Sequence, residues 1–182
     1  LAEAHHQLDL RPQLLRIAAH ALVDQVRPFD HHAVLPELAA GPATANAITA
    51  PSKWVAQAIG RGMLATPTVV YHGVDSDEWA HDEPNLGYVL WNKARADNVS
   101  DPDDMQRVAA LLPDVRFVST FGEQTHNVMV IGAMPHDEMK PGIQRAGVYL
   151  ATARETFGIG TLEAMAAGVP IAGWRYGGQE EI

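Results

Sequence analysis

The chain has 182 residues, 47% of them hydrophobic, which is enough for one ordinary core or parts of two, and no apolar run approaches the length of a bilayer. Its 22 acidic and 13 basic residues leave a formal net charge of −9, which argues against nucleic acid as the main partner because no basic patch exists to drive counterion release. With no cysteine there are neither disulfides nor thiolate metal sites, a composition that fits a reducing, cytoplasmic setting. The sequence begins at Leu1 without a signal-peptide pattern and ends inside a motif, so it is expected to be a piece of a longer protein.

Residues 8–27 carry a helical stripe of Leu14, Ala18, Leu22 and Val26, with Pro12 near the first turn and Arg27-Pro28 ending it. The pairs His5-His6 and His31-His32 read as loop or surface histidines, because adjacent rings do not converge on one ion from a helix or a strand. A compact unit follows: a strand over 47–50, Ser52 as N-cap, a short helix over 53–59 and a strand over 68–71. That strand runs into His72-Gly73-Val74-Asp75, where the glycine permits close backbone approach to a ligand; a plain turn is the alternative. The polar stretch 81–85, HDEPN, reads as a hinge dividing the chain into 1–83 and 84–182.

Beyond the hinge the pattern alternates strand and helix. Residues 87–91 form an apolar strand with Lys93 and Arg95 at its C-terminal end. Ligands bind there in open α/β sheets, so two cations one residue apart are expected to face one anion; a solvated turn is the alternative. Asp101-Pro102 opens a helix through Leu112 with Met105, Val108, Ala109 and Leu112 inward, and strands are expected over 115–119 and 127–131. A helix over 136–144, broken or delayed by Pro141-Gly142, leads to a buried strand over 148–151. His126 reads as an exposed loop residue.

The last stretch carries the most chemistry. A loop with Glu155 leads through Phe157, Gly158, Ile159 and Gly160 into a helix from Thr161 to Ala167; Gly168 suits the residue after its end, Pro170 forbids continuation, and a strand over 169–173 follows. Ile159, Leu162 and Ala166 share an apolar face expected to lie on the sheet, so that Glu163 points elsewhere. A helix start preceded by glycines favours an anion, through free N–H groups and the helix dipole.

Glu155 and Glu163 with Phe157-Gly158 between them, the run Glu163-Ala164-Met165-Ala166-Ala167-Gly168-Val169-Pro170, and Gly177-Gly178 before Glu181-Ile182 together resemble the donor-binding region of family 4 glycosyltransferases. These are retaining, nucleotide-sugar-dependent enzymes of the GT-B fold, α/β with two Rossmann-like lobes. The resemblance implies a partial N-terminal lobe over 1–83 and most of the donor lobe over 84–182. It extends to PTVVYHGVDSDEW, with His72 where the family often has asparagine and Trp79 where it has phenylalanine. It also departs: Lys93 falls where an arginine is usual, and no lysine follows Arg95 at the family's interval.

The resemblance further implies that Glu155 is the catalytic or sugar-binding carboxylate, that Glu163 accepts the ribose hydroxyls, and that Lys93, Arg95 and the entry from Phe157 to Thr161 hold the diphosphate without a metal or other cofactor. Met134 and Pro135, in the segment 132–135, occupy the family's place for backbone contacts to the base. The acceptor, whether sugar, lipid or small molecule, stays open, and the piece alone is expected to be inactive. A glycosidase acid/base pair is disfavoured, since a hydrolase has no need of a phosphate cradle beside its carboxylates. A phosphorylase-like relative would need a Schiff-base lysine, for which Lys140 is the late candidate without a cradle. A sugar-nucleotide-binding or scaffold fragment without turnover is the remaining alternative.

Overall fold

The protein is described by a computed structural model covering residues 45–182; the expected helix over 8–27 and the four histidines at 5, 6, 31 and 32 lie outside these residues. Two parallel sheets are present. The smaller is a strand–helix–strand unit: β1 (Thr49–Ala50), α1 (Lys53–Met63) and β2 (Thr68–Val69). As expected, Ser52 caps α1, its hydroxyl accepting the Val55 N–H. The helix runs past the expected end at 59, because Gly60 sits in an otherwise regular amphipathic run and only Leu64, at φ 53°, turns the chain. A single helical turn, α2 (Ser76–Trp79), was not expected; Asp75 caps it by accepting from the Asp77 and Glu78 amides, and Trp79 is buried.

The larger sheet contains β3 (Val89–Trp91), β4 (Phe117–Ser119), β5 (Val128–Val130), β6 (Val148–Ala151) and β7 (Ile171–Gly173) in the order β5-β4-β3-β6-β7, all parallel. Three helices link its strands: α3 (Pro102–Leu111), α4 (His136–Gln144) and α5 (Ile159–Ala166), with a closing 3₁₀ turn at Gly177–Glu181. Strand alternation sorts the core to two faces. Val89, Trp91, Phe117, Val148 and Leu150 pack with Met105 and Ala109 of α3, and Leu90, Tyr149 and Ala151 pack with Met139 and Ile143 of α4, Ala164 of α5 and Trp79. The buried Trp91 indole N–H donates to Thr152 at 3.0 Å, so the ring brings no unpaired donor inside.

Two expectations fail for identifiable reasons. Pro141 does not break α4, which runs continuously from His136 to Gln144. A proline inside a helix costs about 3 kcal/mol, while Met139 and Ile143, both buried against the sheet, contribute about 1.5–3 kcal/mol each, so burial wins. The face of α5 is also rotated from expectation: Thr161 and Ala164 are buried while Ile159 is 45% exposed. The tight approach of Gly160 to β6 decides this, since a Cβ there would lie 2.6 Å from the Tyr149 hydroxyl, so the smallest residues face the sheet.

Candidate functional site

In the order β5-β4-β3-β6-β7 the strand succession reverses between β3 and β6, and open parallel sheets bind ligands beyond the C-terminal ends of such a pair. Lys93 follows β3 and Glu155 follows β6. A cleft of about 470 Å³ opens there, lined by both residues, by Asn92, Ala133, Met134, His136 and Tyr149, and by the start of α5 from Phe157 to Gly160, with Glu163 one turn on.

Lys93 is fixed from both sides of its backbone: its N–H donates to the Thr120 hydroxyl at 2.9 Å and its carbonyl accepts from that hydroxyl at 2.8 Å. Its ammonium, with the side chain 7% exposed, lies 3.0 Å from Glu155 Oε1 and 5.9 Å from the Tyr149 ring centre. Burial pulls the Lys93 ammonium down, but the Tyr149 and Glu155 oxygens beside it outweigh this and hold it above the ordinary lysine value. The lysine is a charged group at neutral pH, shared between a carboxylate and the cleft.

The start of α5 supplies a second positive element. Gly158 sits in the left-handed region at φ 102° and no side chain caps the helix; the Thr161 amide donates to the Gly158 carbonyl at 3.0 Å, which leaves the Ile159 and Gly160 amides as the first-turn donors at the cleft. Glu163 follows on the cleft side, off the face that α5 lays on the sheet. Burial raises its carboxyl above the ordinary range, His136 at 3.8 Å draws it down and Glu78 adds to the rise. His136 in turn packs its ring edge on Trp79 at 5.7 Å.

Of the residues singled out from sequence, Lys93, Glu155, Phe157, Gly158, Ile159, Gly160, Glu163 and Met134 line this one cleft. Arg95 does not: it pairs with Asp97, whose carboxylate also accepts the Val99 and Ser100 amides, so the turn draws the guanidinium outward. The expected two-cation clamp therefore has one member in the cleft. Pro135 serves as the N-terminal boundary of α4, accepting from Glu138 and Met139. Thr161 is buried on the opposite side, against a hollow beside Met165 and Ile171, and His126 lies in an outer groove by α3. Sequence reasoning missed Tyr149 and His136; strand alternation on β6 and the position just after the 132–135 segment were the available signals. Among the described residues no group of three or more His, Asp or Glu is arranged to hold a metal ion.

The parallel sheets and their linking helices define an α/β protein of the GT-B type, and comparison with known proteins adds to this. Residues 121–182 match the family described as glycosyl transferases group 1. A phosphatidyl-myo-inositol mannosyltransferase from Propionibacterium freudenreichii is 31% identical over 96 residues, covering 50% of this chain and 23% of that protein. Among solved structures, Anabaena HepE in complex with UDP and glucose aligns with a TM-score of 0.62 at 17% identity, over 78% of this chain and 47% of HepE. TarM aligns with a TM-score of 0.62 at 15% identity, over 78% of this chain and 32% of TarM. The chain thus spans less than half of each of these proteins.

Proposed function

We propose that the chain is part of a glycosyltransferase that moves a sugar from a nucleoside diphosphate sugar to an acceptor, with retention at the anomeric carbon and without a metal ion. The observation that carries this is the Lys93–Glu155 pair at the switch point, 3.0 Å apart, facing the uncapped start of α5. Departure of a diphosphate needs developing negative charge met by fixed positive groups. Lys93 and the α5 amides supply them, Glu163 accepts the ribose hydroxyls from one side, and Ala133 and Met134 offer backbone to the base. Glu155, freed from Lys93 as the diphosphate takes the ammonium, accepts donor-sugar hydroxyls beside the reacting carbon. We place the division between lobes near residue 83, with turnover requiring both lobes closed on the donor.

The test is to incubate the full-length protein with UDP-, GDP- and ADP-sugars, measure released diphosphate with and without EDTA, and read the product anomer by proton NMR. One donor is expected to turn over with its anomeric configuration kept and no loss on chelation. Glu155→Gln should lower turnover far more than it weakens the bare diphosphate. Equal losses would reassign Glu155 to structure, and no release from any donor would favour a binding protein without turnover.

A further inference from the structure

Glu181 does not line the cleft, yet both of its carboxylate oxygens are engaged by the opposite end of the described chain. Oε2 accepts the Lys53 amide at 2.9 Å and the Tyr71 hydroxyl at 3.0 Å, and Oε1 accepts the Trp54 amide at 2.8 Å. The carboxylate therefore sits on the N-terminus of α1, where unsatisfied amides and the helix dipole favour it. Burial raises its carboxyl, and the Lys53, Trp54 and Tyr71 donors outweigh this to hold it below the usual range.

The two segments that Glu181 joins both grip the loop carrying Glu155. From the α1 side, the fully buried Ser52 donates its hydroxyl to the Thr156 carbonyl at 2.8 Å, and the rings of Tyr71 and His72 pack on Phe157 at 6.0 and 5.2 Å. From the other side, the Gly178 amide donates to the Glu155 carbonyl at 3.2 Å. Gly177 and Gly178 pass so close to the Glu155 and Thr156 carbonyls that a Cβ at either position would collide with them. Two consecutive carbonyls of the site loop are thus held from opposite directions, and the carboxylate closes the triangle.

We propose that Glu181 is a positioning residue: by clasping α1 to the 177–181 turn it fixes the loop that aims Glu155 at the donor. The assignment of Glu155 rests on the function proposed above; the clasp itself does not. Glu181→Ala removes the clasp without entering the cleft, and Glu181→Gln keeps one acceptor oxygen.

Two measurements on the full-length protein test this. The first is limited trypsinolysis read by mass spectrometry, comparing cleavage after Arg154, at the edge of the loop, with cleavage after Arg116, beside β4. In Glu181→Ala the Arg154 site should be cut faster by about tenfold, with the Arg116 site unchanged and Glu181→Gln intermediate, as for a local opening. An unchanged Arg154 rate, or both sites rising together, overturns the proposal. The second is kinetic, with the donor the wild type turns over: kcat should fall by about tenfold while affinity for UDP, GDP or ADP, whichever binds, stays within about twofold. Loss of kcat and affinity in equal measure overturns it too. A wild type that turns over no donor would sink the proposed function and leave the proteolysis arm readable.

Discussion

Replacing Glu163 by glutamine separates ligand binding from stability, because the two should move in opposite directions. The side chain is 12% exposed, accepts no hydrogen bond among the described residues, and has the His136 Nε2 at 3.8 Å, beyond hydrogen-bond reach. Its oxygens are therefore available to a ligand while burial disfavours their charge, which is why its carboxyl titrates above the ordinary range. A carboxyl whose folded pKa exceeds its unfolded value destabilises the fold while ionised, and the penalty fades as pH falls through the raised pKa. At neutral pH Glu163→Gln should thus melt higher than wild type, with the gain shrinking toward pH 4. A charged hydrogen bond to the ribose contributes roughly 1.5–3 kcal/mol, so the same variant should bind its nucleoside diphosphate about ten- to a hundredfold more weakly, and Glu163→Ala at least as weakly. Calorimetric titration and scanning at pH 7 and pH 4.5 read both effects. Unchanged affinity would remove Glu163 from the site, and a lower melting temperature at pH 7 would refute the electrostatic reasoning.

Other outcomes follow from neighbouring residues. Lys93→Met keeps the buried stem and removes the charge; it should cost about 1.5–3 kcal/mol for a nucleoside diphosphate and almost nothing for the nucleoside, measured by parallel titrations. Salt should weaken wild-type diphosphate binding and leave the Lys93→Met residue of affinity less affected, since the contact is Coulombic. Gly160→Ala should destabilise by roughly 1–3 kcal/mol, because its Cβ would meet the buried Tyr149 hydroxyl at 2.6 Å. Thermal melts of Gly160→Ala in a Tyr149→Phe background should recover most of that loss.

Much of the fold was written in local signals that tertiary packing did not override. Ser52 and Asp101-Pro102 start helices where their capping chemistry predicts, and Gly168, at φ 73°, ends α5 as a glycine should. The strands at 148–151 and 89–91 were legible as short apolar runs, though Gly87, at φ 70°, keeps β3 shorter than the run suggests. What escaped depends on contacts between distant segments. The orientation of α5 follows from Gly160 meeting Tyr149, the continuity of α4 through Pro141 from two residues buried on the sheet, and the outward turn of Arg95 from Asp97 organising its own loop. Glu181 was visible as part of a motif, but its partners Lys53, Trp54 and Tyr71 lie far away in sequence.

The central claim is that the cleft between the ends of β3 and β6 binds a nucleoside diphosphate through Lys93 and Glu163. Titration of the full-length wild type, Lys93→Met and Glu163→Ala against UDP, GDP and ADP, each with and without EDTA, tests it most directly. One diphosphate should bind the wild type, its affinity should survive chelation, and each substitution should weaken it by about tenfold or more. Absence of binding by all three, collapse on chelation, or a diphosphate held equally well by both variants would contradict it.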